Sequence, residues 1–93
     1  MESILEEIRQ ERAHQDKKWG GPSHDDVHSP YDWSAFILTY LGQSISDFVK
    51  ESGRVEPKLR AFRYNMIKVA ALAIAAVEAV DRKLEVFVSA LNR

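Results

Sequence analysis

The sequence predicts an all-α protein of three helices, with a loop between the first two and a long C-terminal helix. Apolar residues recur three or four positions apart in three segments, as they do along one face of an α-helix. Glycine and proline interrupt this pattern at Gly20–Pro22, and glycine does so again at Gly53. The run from Met66 to Val80 is apolar nearly all the way round, which is typical of a helix buried on more than one side.

Length and composition set the outer limits of the prediction. The 93 residues form one domain, 1–93, with a modest core. A formal net charge of −1 argues against binding a nucleic-acid backbone, and the absence of cysteine excludes disulfides and thiolate metal sites. The first residues show no basic region followed by an apolar run, and the alanine-rich central run is too short for a membrane span. We therefore expect a cytoplasmic protein without a membrane or nucleic-acid partner.

The first helix is predicted to run from near the N-terminus to Trp19. Its apolar stripe starts at Ile4 and Ile8, and the next positions on the same face are Glu11 and Gln15. The buried face of this helix therefore becomes polar halfway along. Either the end of the helix emerges into water, or these polar groups line a site.

The loop between the first two helices, from Trp19 to Ser29, holds two of the three histidines and an acidic pair. His24, Asp25 and His28 carry the nitrogen and oxygen ligands that Zn²⁺ and Mn²⁺ accept. The H-D-D-x-H pattern lacks the distant ligands of a metal signature, and aspartates in a turn also bind backbone amides. We therefore predict no metal ion and no other cofactor.

The second helix has clear boundary signals. Ser29 is the predicted N-cap, Pro30 the first helical residue and Asp32 a first-turn acid. A one-sided apolar stripe follows, made of Trp33, Phe36, Ile37, Tyr40, Leu41, Ile45 and Phe48. The segment Glu51–Gly53 is predicted to end the helix, with the glycine in the left-handed conformation.

The third helix is predicted from Pro57 to about Leu91. Its apolar residues alternate at steps of mostly three and four, a near-heptad pattern typical of helices that lie along partners for many turns. A helix of roughly 35 residues is about 50 Å long. The first two helices are too short to cover it, so we expect oligomerisation to complete a helical bundle, an antiparallel dimer being the simplest case.

Three stretches resemble a known group of proteins: E-R-A-H-Q-D-K-K-W-G from Glu11, H-D-D-V-H-S-P-Y-D-W from His24, and R-Y-N-M-I-K-V-A-A-L-A-I-A-A-V-E-A-V-D-R-K from Arg63. They are similar to small phage- and prophage-borne proteins related to the MazG-like, all-α nucleoside triphosphate pyrophosphohydrolases. The resemblance spans about residues 11–83. It implies a single MazG-like helical domain and a nucleotide-derived ligand.

The enzymes of that superfamily bind Mg²⁺ through E-E-x-x-E on one helix and E-x-x-D on the next, and the ion activates the attacking water. With Gly42 as the anchor, the two motifs fall on Thr39, Tyr40, Gln43, Asn65 and Lys68. None of these side chains is a carboxylate. The resemblance therefore implies the helical frame without the magnesium site, and no catalytic residue is predicted.

The residues left for a ligand site are of three kinds. Cations such as Arg12 suit phosphate groups, the face of Trp19 suits a stacked base, and the amides of Gln15 and Asn65 can read a base edge. The predicted ligand-binding residues are Glu11, Arg12, Gln15, Lys18, Trp19, His24, Asp25, His28, Arg63 and Asn65.

Three functions of different classes are compatible with these features. The favoured one is non-catalytic binding of a nucleotide or nucleotide-derived ligand by an oligomer, which in a phage setting would sequester a defence signal. The alternatives are a Mg²⁺-dependent pyrophosphohydrolase with relocated ligands and a helical module that binds a host protein. The polar turn at Glu11 and Gln15 favours a ligand site over pure packing.

Overall fold

A computed structural model describes residues 2–50 and 53–92. Its elements, in chain order, are α1 (Glu2–Trp19), α2 (Pro22–Asp25), α3 (Pro30–Lys50) and α4 (Val55–Leu91). No strand occurs among these residues. The predicted all-α class and the long C-terminal helix are confirmed. The predicted loop differs in one respect, because it contains the single helical turn α2.

The long helix α4 is the axis of the fold, and α1, α2 and α3 each pack against it. The molecule is elongated, with extents of 62 × 28 × 22 Å. Its core is formed by Trp33 of α3 with Leu72, Ala75 and Ala79 of α4. Alanine leaves room for neighbouring helices to approach closely, which explains why the alanine-rich run of α4 forms the centre.

Helix α3 begins where the sequence predicted, because Ser29 and Asp32 cap it reciprocally. The backbone N–H of Ser29 donates to Oδ2 of Asp32 (2.9 Å), and the backbone N–H of Asp32 donates to Oγ of Ser29 (3.2 Å). The first of these bonds lowers the pKa of the Asp32 carboxyl below its ordinary value. The backbone amides of Ser29 and Asp32 are thereby satisfied.

Replacing Ser29 by alanine is expected to lower the free energy of unfolding by about 0.5–2 kcal/mol, as for other N-caps. Urea unfolding followed by circular dichroism measures this loss, and Ser34→Ala, an exposed serine of the same helix, is the matched control. The stabilisation from Asp32 is fully present above the ordinary pKa of 3.8 and is lost as pH falls through the lower folded-state pKa. Equal losses in the two alanine variants would contradict the capping role.

The boundary between α3 and α4 agrees with the predicted turn chemistry. Gly53 has φ of 83°, in the left-handed region that glycine adopts without strain. Glu51 and Ser52, the other residues predicted to end the second helix, lie outside the described residues. Helix α4 starts at Val55, two residues before the predicted Pro57, since proline is tolerated in a first helical turn.

Apolar side chains near the C-terminal end of α4 are uncovered in the single chain. Leu84 is 53% exposed, Phe87 67% and Leu91 85%. These are positions of the near-heptad pattern, so the self-association inferred from that pattern stays a prediction. In the described part of the chain, no helix combines the length and apolarity needed to cross a membrane.

Candidate functional site

All four helices contribute to a cavity of about 310 Å³ beside the core, which we call the central pocket. This volume is at the lower end of the roughly 300–1,000 Å³ that small-molecule pockets occupy. Its lining residues are Arg12, Gln15, Asp16, Trp19, His24, Asp25, Trp33, Phe36, Thr39, Tyr40, Leu72 and Ala75.

Aromatic rings form much of the wall of the central pocket. Trp33 and Phe36 meet edge to face, with ring centroids 5.9 Å apart and planes at 84°. Trp19 and Tyr40 pack against the same core cluster. Such a wall suits a flat ligand group that can stack on the rings or contact them edge to face.

Three buried polar atoms of the residues that line the central pocket have no hydrogen-bond partner in the described structure. They are Nη1 of Arg12, Oε1 of Gln15 and Nε1 of Trp33. The amide of Gln15 is oriented by its Nε2, which donates to the carbonyl oxygen of Lys68 at 3.5 Å. A carbonyl can only accept, so Oε1 is the acceptor left over.

These unpaired atoms have an energetic meaning. A buried donor or acceptor without a partner costs about 1–3 kcal/mol. Native proteins contain few such groups, and here three of them belong to residues that line one cavity. A partner for these atoms would have to offer acceptors to Arg12 and Trp33, and a donor to Gln15.

Carboxylates surround the guanidinium of Arg12. Its Nη2 donates to Oε2 of Glu78 at 3.0 Å, and its Nη1 lies 3.6 Å from Oδ1 of Asp16 and 4.0 Å from Oδ2 of Asp25. One cation thus faces three anions at this end of the central pocket. The local charge favours a neutral ligand group with hydrogen-bonding edges over a phosphate group at this position.

The segment that carries α2 is tied to α4 by two basic residues. Nε of Arg82 donates to Oδ1 of Asp26 at 2.8 Å, a bond that raises the pKa of the guanidinium. Nζ of Lys83 donates to the carbonyl oxygen of His28 at 2.7 Å. These contacts hold the segment from α2 to His28, which includes the pocket residue His24, against α4.

Of the predicted site residues, the central pocket brings together Arg12, Gln15, Trp19, His24 and Asp25. Of the two residues of the polar turn of the first helix, Gln15 lines this cavity and Glu11 does not. Gln15 is buried, with 5% exposure, so it does not lie at an emerging helix end.

His28 and Lys18 adjoin the central pocket without lining it. The His28 ring packs edge-on against Phe36, and its Nε2 is 3.2 Å from Nε2 of His24. Lys18 is exposed, with its Nζ 5.4 Å from the ring centroid of Trp19.

Glu11 and Arg63 lie elsewhere, beside a second and separate cavity between α1 and α4. Arg63 donates to both carboxylate oxygens of Glu7, which lowers the pKa of that carboxyl. This guanidinium is therefore engaged in holding α1 against α4. A phosphate that used Arg63 would have to displace Glu7.

Asn65 is buried at the contact of α3 with α4, where the superfamily motifs were aligned. Its Nδ2 donates to Oδ2 of Asp47 at 3.0 Å, and Nε2 of Gln43 donates to Oδ1 of the same carboxylate at 2.7 Å. These two amides, Asn65 first, lower the pKa of Asp47. A carboxylate is present here, but both its oxygens are occupied by amide donors.

Sequence reasoning missed several residues of the central pocket. It treated Trp33, Phe36 and Tyr40 chiefly as members of the apolar stripe of the second helix. It considered Thr39 only as an aligned motif position and gave no role to Asp16. Two features of the sequence could have indicated these residues. One is the polar Thr39 beside that stripe, and the other is the indole of Trp33, whose N–H needs a partner when buried.

Comparison of the chain with protein families, curated proteins and solved structures gave no significant match. The relation to MazG-like and phage-borne proteins therefore stays a prediction from the sequence motifs. The chemistry of the central pocket is the basis for a functional proposal.

Proposed function

We propose that the central pocket binds the base of a nucleotide-derived ligand without hydrolysing it. The observation that carries this proposal is that three residues lining an aromatic cavity, Arg12, Gln15 and Trp33, each have an unpaired buried polar atom. A nucleobase is flat enough to stack on rings and presents both acceptors and donors along its edges. It can therefore satisfy all three atoms, which a hydrocarbon cannot.

The phosphate groups of such a ligand are proposed to leave the central pocket and lie at its rim. The three carboxylates near Arg12 repel an anion inside. Two ammonium groups flank the aromatic residues of the rim: Nζ of Lys18 beside Trp19, and Nζ of Lys68 5.3 Å from the ring centroid of Tyr40. Lysine at an exposed position contacts phosphate as a mobile point charge.

Binding without turnover is favoured by the side chains at the aligned motif positions. Hydrolysis of the superfamily type needs a cluster of carboxylates that holds Mg²⁺. Among residues 2–50 and 53–92, no group of three or more His, Cys, Asp or Glu side chains is placed to hold a metal ion. The carboxylate of Asp47 is already bonded to two amides.

The biological role that we propose is sequestration of a nucleotide signal used in defence against phage. It rests on the resemblance of the sequence motifs to those of phage-borne proteins. Self-association through the uncovered face of α4 would present several copies of the central pocket in one particle.

Isothermal titration against a panel of nucleosides and of linear and cyclic nucleotides tests the proposal. We expect binding that Gln15→Leu weakens about tenfold or more, since a buried hydrogen bond of roughly 1–3 kcal/mol is lost. The substitution keeps roughly the same side-chain volume. It removes the unpaired acceptor together with the long 3.5 Å bond from Nε2 to the Lys68 carbonyl, and circular dichroism checks that the fold is retained.

Arg63→Ala is the matched control, because this predicted site residue lies outside the central pocket and is expected to leave the affinity unchanged. Recovery of the ligand intact after incubation with Mg²⁺ separates binding from hydrolysis. No heat with any nucleotide at millimolar concentration would overturn the proposal.

A further inference from the structure

The two histidines of the α2 segment face each other. Nε2 of His24 and Nε2 of His28 are 3.2 Å apart, with the ring planes at 70°. The proposed function makes no use of this pair, which we call the histidine pair. Its position is fixed by α2 and by the bond from Lys83 to the His28 carbonyl.

A carboxylate stands at the other nitrogen of each ring. Nδ1 of His24 is 3.4 Å from Oδ1 of Asp25, and Nδ1 of His28 is 3.5 Å from Oδ2 of Asp32. An ionised carboxylate only accepts hydrogen bonds, so these contacts favour the tautomer with the hydrogen on Nδ1. In that tautomer each ring presents its Nε2 lone pair to the other, and the contact between them lacks a hydrogen.

From this arrangement we propose that the histidine pair binds a divalent transition-metal ion, of which Zn²⁺ is the reference case, between the two Nε2 atoms. Zinc–nitrogen bonds of about 2.0–2.1 Å at a tetrahedral angle place two ligand nitrogens roughly 3.3–3.4 Å apart. The observed 3.2 Å is close to this separation. The ion supplies the positive centre that the facing lone pairs lack.

The surroundings have the features of an outer shell around metal-bound histidines. Such histidines usually donate their second nitrogen to a carboxylate, which fixes the tautomer and the ring orientation. Asp25 and Asp32 stand in these positions here, and they offset the charge of the ion. The nearby cations are Arg12, which faces Asp25, and Lys83, which is bonded to the main chain of His28.

The remaining coordination positions belong to water or to an external ligand. No third His, Cys, Asp or Glu completes a cluster in the described ranges, so the histidine pair supplies two ligands. The side chain of His24 is 34% exposed, and this residue also lines the central pocket.

This inference departs from the sequence prediction of no metal, because sequence spacing could not show that the two Nε2 atoms meet. It does not depend on nucleotide binding, since the probe is the metal ion alone. Absence of Zn²⁺ binding would not contradict nucleotide binding in the central pocket. Absence of nucleotide binding would not contradict Zn²⁺ binding by the histidine pair.

The test is isothermal titration of tag-free, chelator-treated protein with Zn²⁺ at neutral pH, with Mg²⁺ as the hard-ion control. We expect one Zn²⁺ to bind per chain and Mg²⁺ to give no signal. His24→Ala and His28→Ala are each expected to abolish Zn²⁺ binding. His14→Ala, which removes the third histidine from an exposed position on α1, is expected to leave it unchanged.

Nitrogen NMR of the imidazole rings provides a readout that does not need a variant. Zn²⁺ should change the Nε2 chemical shifts of both His24 and His28 in the unmodified protein and leave those of His14 unchanged. The test therefore stays decisive if a variant fails to fold. No binding at millimolar Zn²⁺, or binding that shifts only one ring of the histidine pair, would overturn the proposal.

Discussion

Replacing Leu72 by alanine is expected to lower the free energy of unfolding by about 2–5 kcal/mol. Leu72 is the largest fully buried side chain among the described residues, with 2% exposure, and it belongs to the core cluster with Trp33. Truncation removes its buried surface and leaves a void that adjoins the central pocket. Domains of this size have a total stability of roughly 5–15 kcal/mol, so the loss is a large fraction of it.

Urea unfolding followed by circular dichroism measures the effect of Leu72→Ala. Leu38→Ala is the matched control, because it makes the same substitution at a side chain that is 65% exposed on α3. We expect the control to change stability by less than about 0.5 kcal/mol. Similar losses in both variants would mean that Leu72 is not at the centre of the fold.

Placing tryptophan at position 39 is expected to abolish ligand binding while preserving the fold. Thr39 is exposed on α3 but lines the central pocket, and its Oγ1 donates to the carbonyl oxygen of Ala35 in its own helix. Its hydroxyl is therefore not needed inside the cavity. A bulky ring at this position fills the space of a ligand without disturbing the buried core.

The expected loss of affinity in Thr39→Trp is at least about a hundredfold, since it removes base stacking of roughly 1–3 kcal/mol together with the hydrogen bonds behind it. Titration calorimetry with the tightest ligand of the panel measures it. Thr39→Ser, which keeps the hydroxyl and the open rim, is the control expected to bind as the natural protein does. Retained binding in the tryptophan variant would place the ligand elsewhere.

The helices could be predicted from the sequence because their signals are local. Ser29, Pro30 and Asp32 specify the start of α3 through one turn of backbone hydrogen bonds. The turn α2 could not be predicted in the same way. It has four residues, too few to show a periodicity, and it follows two glycines, Gly20 and Gly21, with φ of 106° and 67°.

Residues of the candidate site could be predicted only where the pattern within a single helix indicated them. Gln15 interrupts an apolar stripe, so its polar role was visible from α1 alone. The placement of Arg63 and Asn65 depends on which faces of α4 meet α1 and α3, and a helix that is apolar over much of its surface does not specify this. Likewise, only the packed structure shows that the indole N–H of Trp33 is left without a partner.

The aromatic wall of the central pocket has a practical consequence. The chain contains two tryptophans, Trp19 and Trp33, and both line this one cavity. The intrinsic tryptophan fluorescence of the protein therefore originates entirely at the proposed binding site. Any molecule that enters should alter the emission directly, so ligands can be screened optically on the unlabelled, natural chain.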